Sequence, residues 1–292
     1  MSERRLVGII YNGRLEEARA LAQRIAQAVG GEHWIASTES LESRAGAMAR
    51  SRLAITVGGD GTTLRTARLA APCQVPIVGI NMGRVGFMTE LAPEEAMERL
   101  PAYLEGRGWI EERTMLEARV APEGHEPSEE GLPTFHGLND AVVARGTVSR
   151  LIRLAVRIDG EPLATYAADG VIVATSTGST GYTLAVGGPI LDPRLDCLLL
   201  KPVAAHLGLN TALVFPGDAK IDITVEAEHP VVLSVDGFQD LMLGDGDRVQ
   251  VARSPYRARF LRARPSSHFY RTLFQRLGIP PRPGLLSPSH PE

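Results

Sequence analysis

Ile55-Thr56-Val57-Gly58-Gly59-Asp60-Gly61-Thr62-Thr63-Leu64-Arg65 is the stretch that decides how this chain is read. Residues 53–57 are apolar and β-branched, the composition of a strand buried on both faces. Three glycines then surround one aspartate. Glycine admits backbone angles closed to other residues and lets a second molecule approach the main chain. Thr62 and Thr63 are helix N-cap residue types, and residues 66–71 continue as helix. Bare N–H groups at a helix start attract phosphate. Asp60 is the odd member of such a cradle. Its carboxylate repels a phosphate unless it holds a metal or accepts a proton from a hydroxyl. The competing reading is a common Asp-Gly turn after a strand.

Working outward, residues 6–11 read as a first strand. Residues 15–29 carry apolar side chains at Leu15, Ala18, Leu21, Ala22, Ile25 and Val29, a helical spacing. Residues 34–36 and 77–81 read as further strands. The latter runs into Asn81-Met82-Gly83-Arg84-Val85-Gly86-Phe87. Residues 93–104 read as a helix, with Pro93 in the first turn and Glu94 and Glu95 at the positive end of its dipole. Strands alternating with helices predict a doubly wound, mostly parallel α/β domain over 1–108. Ligands of such sheets sit beyond the C-terminal strand ends, where both glycine-rich turns lie.

The pattern changes near Trp109. Residues 122–133 are acidic and proline-punctuated, which predicts a mobile loop. Ile152, Leu154, Val156 and Ile158 alternate with polar or small residues, and Ile221, Ile223 and Val225 alternate again. With 171–174, 231–235 and 248–252 they predict a mostly-β domain over 109–265. A helix over 268–277, closed by Gly278, lies within the segment 266–279 that is expected to complete the first domain. Residues 280–292 hold five prolines and read as a disordered tail.

Composition bounds the function. The 292 residues, 44% hydrophobic and 22% charged, suit one large or two ordinary packed domains. A net charge of −3 argues against nucleic acid or an anionic membrane as partner. The two cysteines, Cys73 and Cys197, suggest neither zinc nor a disulfide framework. No apolar run approaches bilayer length, and the first residues lack a signal-peptide core. The expectation is a cytoplasmic protein.

A second site candidate is Asp169-Gly170-Val171-Ile172-Val173-Ala174-Thr175-Ser176-Thr177-Gly178-Ser179-Thr180-Gly181-Tyr182. A buried strand runs into small hydroxyl and glycine residues, then an aromatic. Hydroxyls and free amides suit phosphate or ribose, and the tyrosine suits a planar ring; the alternative is a polar loop after an edge strand. Third is Asn139-Asp140 inside the otherwise apolar 138–144. Polar side chains interrupting a strand are costly unless paired or used. An amide matches the edge of adenine, and a carboxylate matches ribose hydroxyls or a metal; the alternative is a bulge or turn. Asp236-Gly237 repeats the pattern of a strand followed by Asp-Gly, and His206 stands alone. P-loop, Gly-x-Gly-x-x-Gly, Gly-x-Ser-x-Gly and His-Glu-x-x-His motifs are missing.

Together these residues resemble the NAD kinase family from Leu6 to about Gly278. The 58–62 loop also resembles those of diacylglycerol-type lipid kinases, sphingosine kinases and 6-phosphofructokinases. Asp169-Gly170 followed by 177–182 and Gly187-Gly188-Pro189-Ile190 is far more specific. Asn139-Asp140 is similar to the family's Asn-Glu/Asp pair, and 81–87 to its Asn-x-Gly-x-Leu-Gly-Phe. The resemblance implies the NAD kinase / diacylglycerol kinase-like fold and phosphorylation of the 2′-hydroxyl of the adenosine ribose of NAD. ATP with a divalent cation such as Mg²⁺ is the implied donor, with polyphosphate a further one. Asp60 would be the general base, with Gly61 and Arg65 beside the dinucleotide. Asn139 and Asp140 would hold adenine and ribose groups, and Arg150 matches another contact position. Asp169 would reach the nicotinamide side. Thr177, Thr180, Gly181, Tyr182, Thr183, Leu184 and Ala185 would wrap the adenosine. Ala167 stands where some NAD-restricted members carry Arg, which implies room for NADH. Ser176, Gly181 and Ala185 depart from the usual Pro, Ala and Ser. No protein metal ligand is assigned, and a homodimer or homotetramer is implied. The alternatives are a lipid or sugar-phosphate kinase on the same scaffold, a non-catalytic NAD-sensing module, and a structural protein whose glycine loops are only turns.

Overall fold

A computed structural model describes residues 5–83, 86–147, 151–206 and 209–278. Arg84, Val85, Arg150 and the expected tail at 280–292 lie outside the described residues. The chain forms two compact units, Met1–Glu111 with Phe260–Glu292, and Glu112–Arg259.

The first unit contains β1 (Leu6–Tyr11), α1 (Glu16–Val29), β2 (His33–Ser37), α2 (Ala45–Ala49), β3 (Ser51–Gly58), α3 (Asp60–Ala70), β4 (Ile77–Asn81) and α4 (Pro93–Leu104). The strands lie in the order β2-β1-β3-β4 and all run parallel. They are buried because helices cover them: Ala18, Leu21, Ala22 and Ile25 of α1 share a core with Val7, Ile9, Ile55, Val57, Val78 and Ile80. Leu100 and Tyr103 of α4 enter the same core. Gly58 at the end of β3 pairs with Asn81 at the end of β4. Both glycine-rich turns therefore leave one sheet side by side, where an α/β sheet offers its backbone to ligands.

The second unit is antiparallel. Its strands are β5 (Trp109–Ala121), entered from the first unit, β6 (Thr134–Gly137), β7 (Asp140–Arg145), β8 (Ile152–Ile158), β9 (Glu161–Ala168) and β10 (Gly170–Thr175). A short α5 (Tyr182–Ala185) precedes β11 (Cys197–Val203), β12 (Leu213–Pro216), β13 (Ile221–Glu226), β14 (Val231–Val235), β15 (Gln239–Leu243) and β16 (Arg248–Arg262). One sheet has the order β12-β11-β10-β7-β14-β15. In the other, β13 pairs with β8 and with the start of β16, and β8 pairs with β9. Leu154, Val156, Tyr166, Val171, Val173, Leu198, Leu233 and Val249 close one core between the sheets. β10 is a central strand, flanked by β7 and β11, not an edge.

The end of β16 returns the chain to the first unit, where Phe260 pairs with Ile77 and α6 (His268–Arg276) follows. Gly278 after α6 adopts φ 68°, a glycine C-cap. Among the described residues no helix is long and apolar enough to cross a membrane.

Candidate active site

In the first unit α3 starts at Asp60, with Gly59 as its N-cap. The expected capping role of Thr62 and Thr63 is not seen. Their backbone N–H groups donate to the Gly59 carbonyl at 3.1 and 3.3 Å. The threonine side chains are buried instead, Thr63 against Thr56, their hydroxyls 3.2 Å apart. The glycines also differ from expectation, since none of Gly58, Gly59 and Gly61 has a positive φ. Gly58 is glycine because a Cβ would strike the Thr62 hydroxyl. At Gly59 and Gly61 an added Cβ would meet nothing within 4 Å. The fold itself makes no steric demand for these two glycines. The space a side chain would occupy at both positions is open.

The Asp60 carboxylate accepts the backbone N–H groups of Phe87, at 2.8 Å, and Met88, at 3.0 Å. Gly86 has no room for a side chain because a Cβ would run into that carboxylate. The Arg276 guanidinium of α6 lies over the Phe87 ring, 5.4 Å from its centroid. Arg262 donates to the Met88 carbonyl at 3.0 Å and to Glu111 and Glu90 at 2.7 and 3.2 Å. A carboxylate has about four acceptor positions. Two N–H donors aim Asp60 and leave capacity for a hydroxyl proton. The Phe87–Met88 donors and the Arg262 group were not foreseen. The Asn81–Phe87 motif was the available signal for the former.

In the second unit Asn139 lies in the turn before β7 and Asp140 opens that strand. The pair does not interrupt a strand interior as expected. Asp236, directly after β14, accepts the N–H groups of Leu138, Asn139 and Asp140 at 2.8, 2.7 and 3.1 Å. The Asn139 side-chain oxygen is buried without a hydrogen-bond partner, as are the hydroxyls of Thr177 and Thr183. Buried polar atoms of this kind are completed by an ordered water or by a ligand. Burial, reinforced by the Asp236 charge, pushes the Asp140 carboxyl up to about 7.

β10 ends in a tight polar turn. The Thr175 hydroxyl donates to the Leu138 carbonyl at 2.6 Å and accepts the Gly178 N–H at 3.2 Å. A 3₁₀ turn over Gly178–Thr180 follows, then α5. A Cβ on Gly178 would strike the Asn139 carbonyl oxygen. One on Gly181 would sit 3.4 Å from the Asn139 amide nitrogen and 3.8 Å from an Asp140 carboxylate oxygen. Asn139, Asp140 and the Gly178–Gly181 turn are thus one cluster, although about 40 residues separate them in sequence. Thr180 donates to the Thr177 carbonyl at 3.1 Å. Thr183 is fully buried in α5, while Tyr182 and Ala185 are exposed and Leu184 is half-buried. Ser176 is held by the carbonyls of Pro193 and Leu195.

Asp169 is half-buried and ion-paired to Arg145 at 3.0 Å, a partner not foreseen. Ala167, on β9, accepts the His206 N–H through its carbonyl at 2.9 Å. Arg65 is half-buried on α3. Arg150 lies outside the described residues, so its expected contact is not placed. Among the described residues no group of three or more His, Cys, Asp or Glu side chains forms a metal cage.

Residues 11–108 match the ATP-NAD kinase N-terminal domain, and 138–263 the ATP-NAD kinase C-terminal domain. The chain is 42% identical over 274 residues to the NAD kinase of Dehalococcoides mccartyi (strain CBDB1), covering 93% of this chain and 95% of that one. It is 44% identical over 225 residues to the NAD kinase of Chloroflexus aggregans, covering 77% and 80%. A crystal structure of an NAD kinase from Archaeoglobus fulgidus in complex with ATP aligns with TM-score 0.69 and 26% identity, covering 94% and 100%. A crystal structure of yeast NADH kinase complexed with NADH aligns with TM-score 0.82, covering 95% and 89%. At 23% identity that last likeness is one of fold alone.

Proposed function

Because this chain belongs to the NAD kinase family, we propose that Asp60 is the base of a transfer from ATP to NAD that makes NADP. The protein is a phosphotransferase acting on an alcohol. The 2′-oxygen of the adenosine ribose attacks the terminal phosphorus of ATP, the bond to ADP breaks, and the hydroxyl proton passes to the Asp60 carboxylate. Phosphoryl transfer asks a protein for in-line positioning and charge neutralisation rather than covalent help. A ribose hydroxyl is a poor nucleophile at neutral pH, so a positioned carboxylate is the fitting residue type.

The observation that carries this reading is Gly59-Asp60-Gly61. Its carboxylate is aimed by two N–H donors, and its flanking glycines are bare without internal need. The buried, unpartnered polar atoms of Asn139, Thr177 and Thr183 support a polar ligand held by the second unit. In this reading Asn139 and Asp140 take adenine and ribose groups, and Asp169 faces the nicotinamide side. Thr177, Thr180, Gly181, Tyr182, Thr183, Leu184 and Ala185 wrap the adenosine, while Gly61, Arg65 and Arg150 lie against the dinucleotide. The divalent cation, Mg²⁺ in our proposal, arrives with ATP as the charge partner of its phosphates and is substrate rather than resident. A small Ala167 leaves space for NADH beside NAD. A cytoplasmic location and a homodimer or homotetramer complete the proposal.

Incubating purified protein with ATP, Mg²⁺ and NAD and measuring NADP tests the reading directly. Sustained NADP formation is the expected result. Phosphorylation of diacylglycerol or a sugar phosphate in place of NAD would overturn it.

A further inference from the structure

We propose that Asp236 is a positioning residue for dinucleotide binding, holding the Asn139-Asp140 turn in its binding shape before the ligand arrives. The proposal rests on the NAD kinase reading and adds a residue to its machinery.

The N–H groups of Leu138, Asn139 and Asp140 all donate to one carboxylate, that of Asp236. The carbonyl of Asp140 accepts the Asp236 N–H at 2.9 Å. The carbonyl of Asn139 accepts the Thr175 N–H at 2.9 Å, and that of Leu138 accepts the Thr175 hydroxyl at 2.6 Å. Two residues, Asp236 and Thr175, therefore occupy every backbone polar group from Leu138 to Asp140. A turn so held has no peptide group left to rotate toward a competing partner. The ordering cost of the turn is met in folding, not in binding, which is the condition for preorganised recognition.

Asp236 is also the first central residue of the tight turn between β14 and β15, where the Phe238 N–H donates to the Val235 carbonyl at 3.3 Å. It adopts φ 52° and Gly237 φ 72°, the left-handed pair that Asp-Gly supplies to a hairpin turn, so the hairpin fixes where the clamping carboxylate stands. Gly137 is part of the seat: a Cβ there would lie 2.8 Å from a Val235 methyl and 3.1 Å from an Asp236 carboxylate oxygen. Meanwhile the Asn139 side-chain oxygen stays buried without a partner. The backbone is fully engaged and the side-chain acceptor is kept in reserve, which is the arrangement a ligand-reading amide requires.

Asp236→Asn keeps the shape but replaces one acceptor oxygen with an N–H donor. Either amide orientation then sets that donor against at least one backbone N–H. We expect the KM for NAD to rise by about 10- to 100-fold, the range set by hydrogen bonds to a charged acceptor. The KM for ATP should stay within about twofold, and kcat should hold, because the base and the donor site are untouched. A folded Asp236→Asn with wild-type KM for NAD, or with both KM values raised alike, overturns the proposal. If Asp236→Asn does not fold, Thr175→Val carries the test by removing the hydroxyl clamp on the same turn. It should raise the KM for NAD alone, with Thr175→Ser restoring it; a Thr175→Val without that split overturns the proposal. Wild-type protein in the same assay separates the two readings. If it makes no NADP, the kinase reading fails; if it does and the variants show no split, only the role of Asp236 fails.

Discussion

The carboxylate of Asp60 and the backbone N–H of Met88 lie 3.0 Å apart, joining the two glycine-rich turns at the ends of β3 and β4. With the Phe87 N–H at 2.8 Å, this fixes the direction of the carboxylate without using a side-chain donor. As the proposed base, an aspartate held in this way should act by position. Asp60→Asn keeps one acceptor for the loop but cannot take a proton. We expect it to bind NAD with near wild-type affinity and to lose about 10²–10⁴-fold in kcat. Calorimetric NAD binding and steady-state NADP formation check the two halves. Undiminished kcat would assign the proton to another group.

The glycines separate into two classes with opposite expected behaviour. Gly61 lies in the first turn of α3 and has empty space where a Cβ would go. Gly61→Ala should leave stability unchanged or raise it by up to about 1 kcal/mol, the helix-propensity gain. It should nevertheless lower kcat/KM by about tenfold or more, because the added methyl occupies the ligand's approach. Gly178→Ala is the converse case. Its Cβ overlaps the Asn139 carbonyl, so it should destabilise the protein by about 1–3 kcal/mol as an overpacked site. Urea unfolding alongside NADP formation distinguishes the classes. A destabilised Gly61→Ala would mean that the fold itself requires that glycine.

Asp140 gives a pH signature. Burial and the neighbouring Asp236 charge raise its carboxyl from the ordinary value to about 7. For an acid whose folded pKa is raised, the neutral form favours the fold. The stability this provides is complete below the unfolded value near 4, and it is lost as pH rises through about 7. Asp140→Asn has no such titration. The stability of Asp140→Asn relative to wild type should therefore increase between about pH 4 and pH 8, by on the order of 3 kcal/mol. Urea midpoints at pH 4.5, 6 and 8 test this. A difference that does not change with pH would place the Asp140 titration outside that window.

How much of this was legible in the sequence follows physical lines. β1, β4 and β14 carry the bounds expected of them, because buried strands read as uninterrupted or strictly alternating apolar runs. β5 escaped notice because its charges are paired locally in the fold: Glu111 with Arg262, Glu112 with Arg259 and Glu117 with Arg119. Asp60, Asn139, Asp140 and the Gly178–Gly181 turn stood out as residues out of place on apolar strands or in denser glycine than a turn needs. Their partners did not stand out. The Phe87 N–H lies 27 residues from Asp60, and Asp236 lies 96 residues from Asp140. A backbone donor has no residue type to announce it, and an Asp-Gly after a strand looks the same whether it turns the chain or holds another loop. The start of α3 was misplaced for a related reason. Its cap is the Gly59 carbonyl, while the threonines that resembled caps are core residues.

Arg262 provides the strongest stability prediction in the first unit. Its side chain is buried and donates to Glu111, Glu90 and the Met88 carbonyl. Glu90 also accepts the Tyr103 hydroxyl at 3.2 Å and the backbone N–H groups of Ala263 and Arg264. Burial and the Glu90 charge push the Tyr103 phenol up to about 12, so it remains a donor across the working range. Removing the guanidinium takes a buried charged donor from Glu90 and Glu111, a loss of about 3–5 kcal/mol for a broken buried pair. Arg262→Ala should show that loss in urea unfolding. Arg262→Lys should recover only part of it, because an ammonium does not reproduce the planar fork that reaches Glu111 and Met88 together. Neutralising the partners as well, in Arg262→Met with Glu90→Gln and Glu111→Gln, should be less destabilising than Arg262→Ala alone. If the triple variant is the worse of the two, the uncompensated charge is not what the arginine relieves.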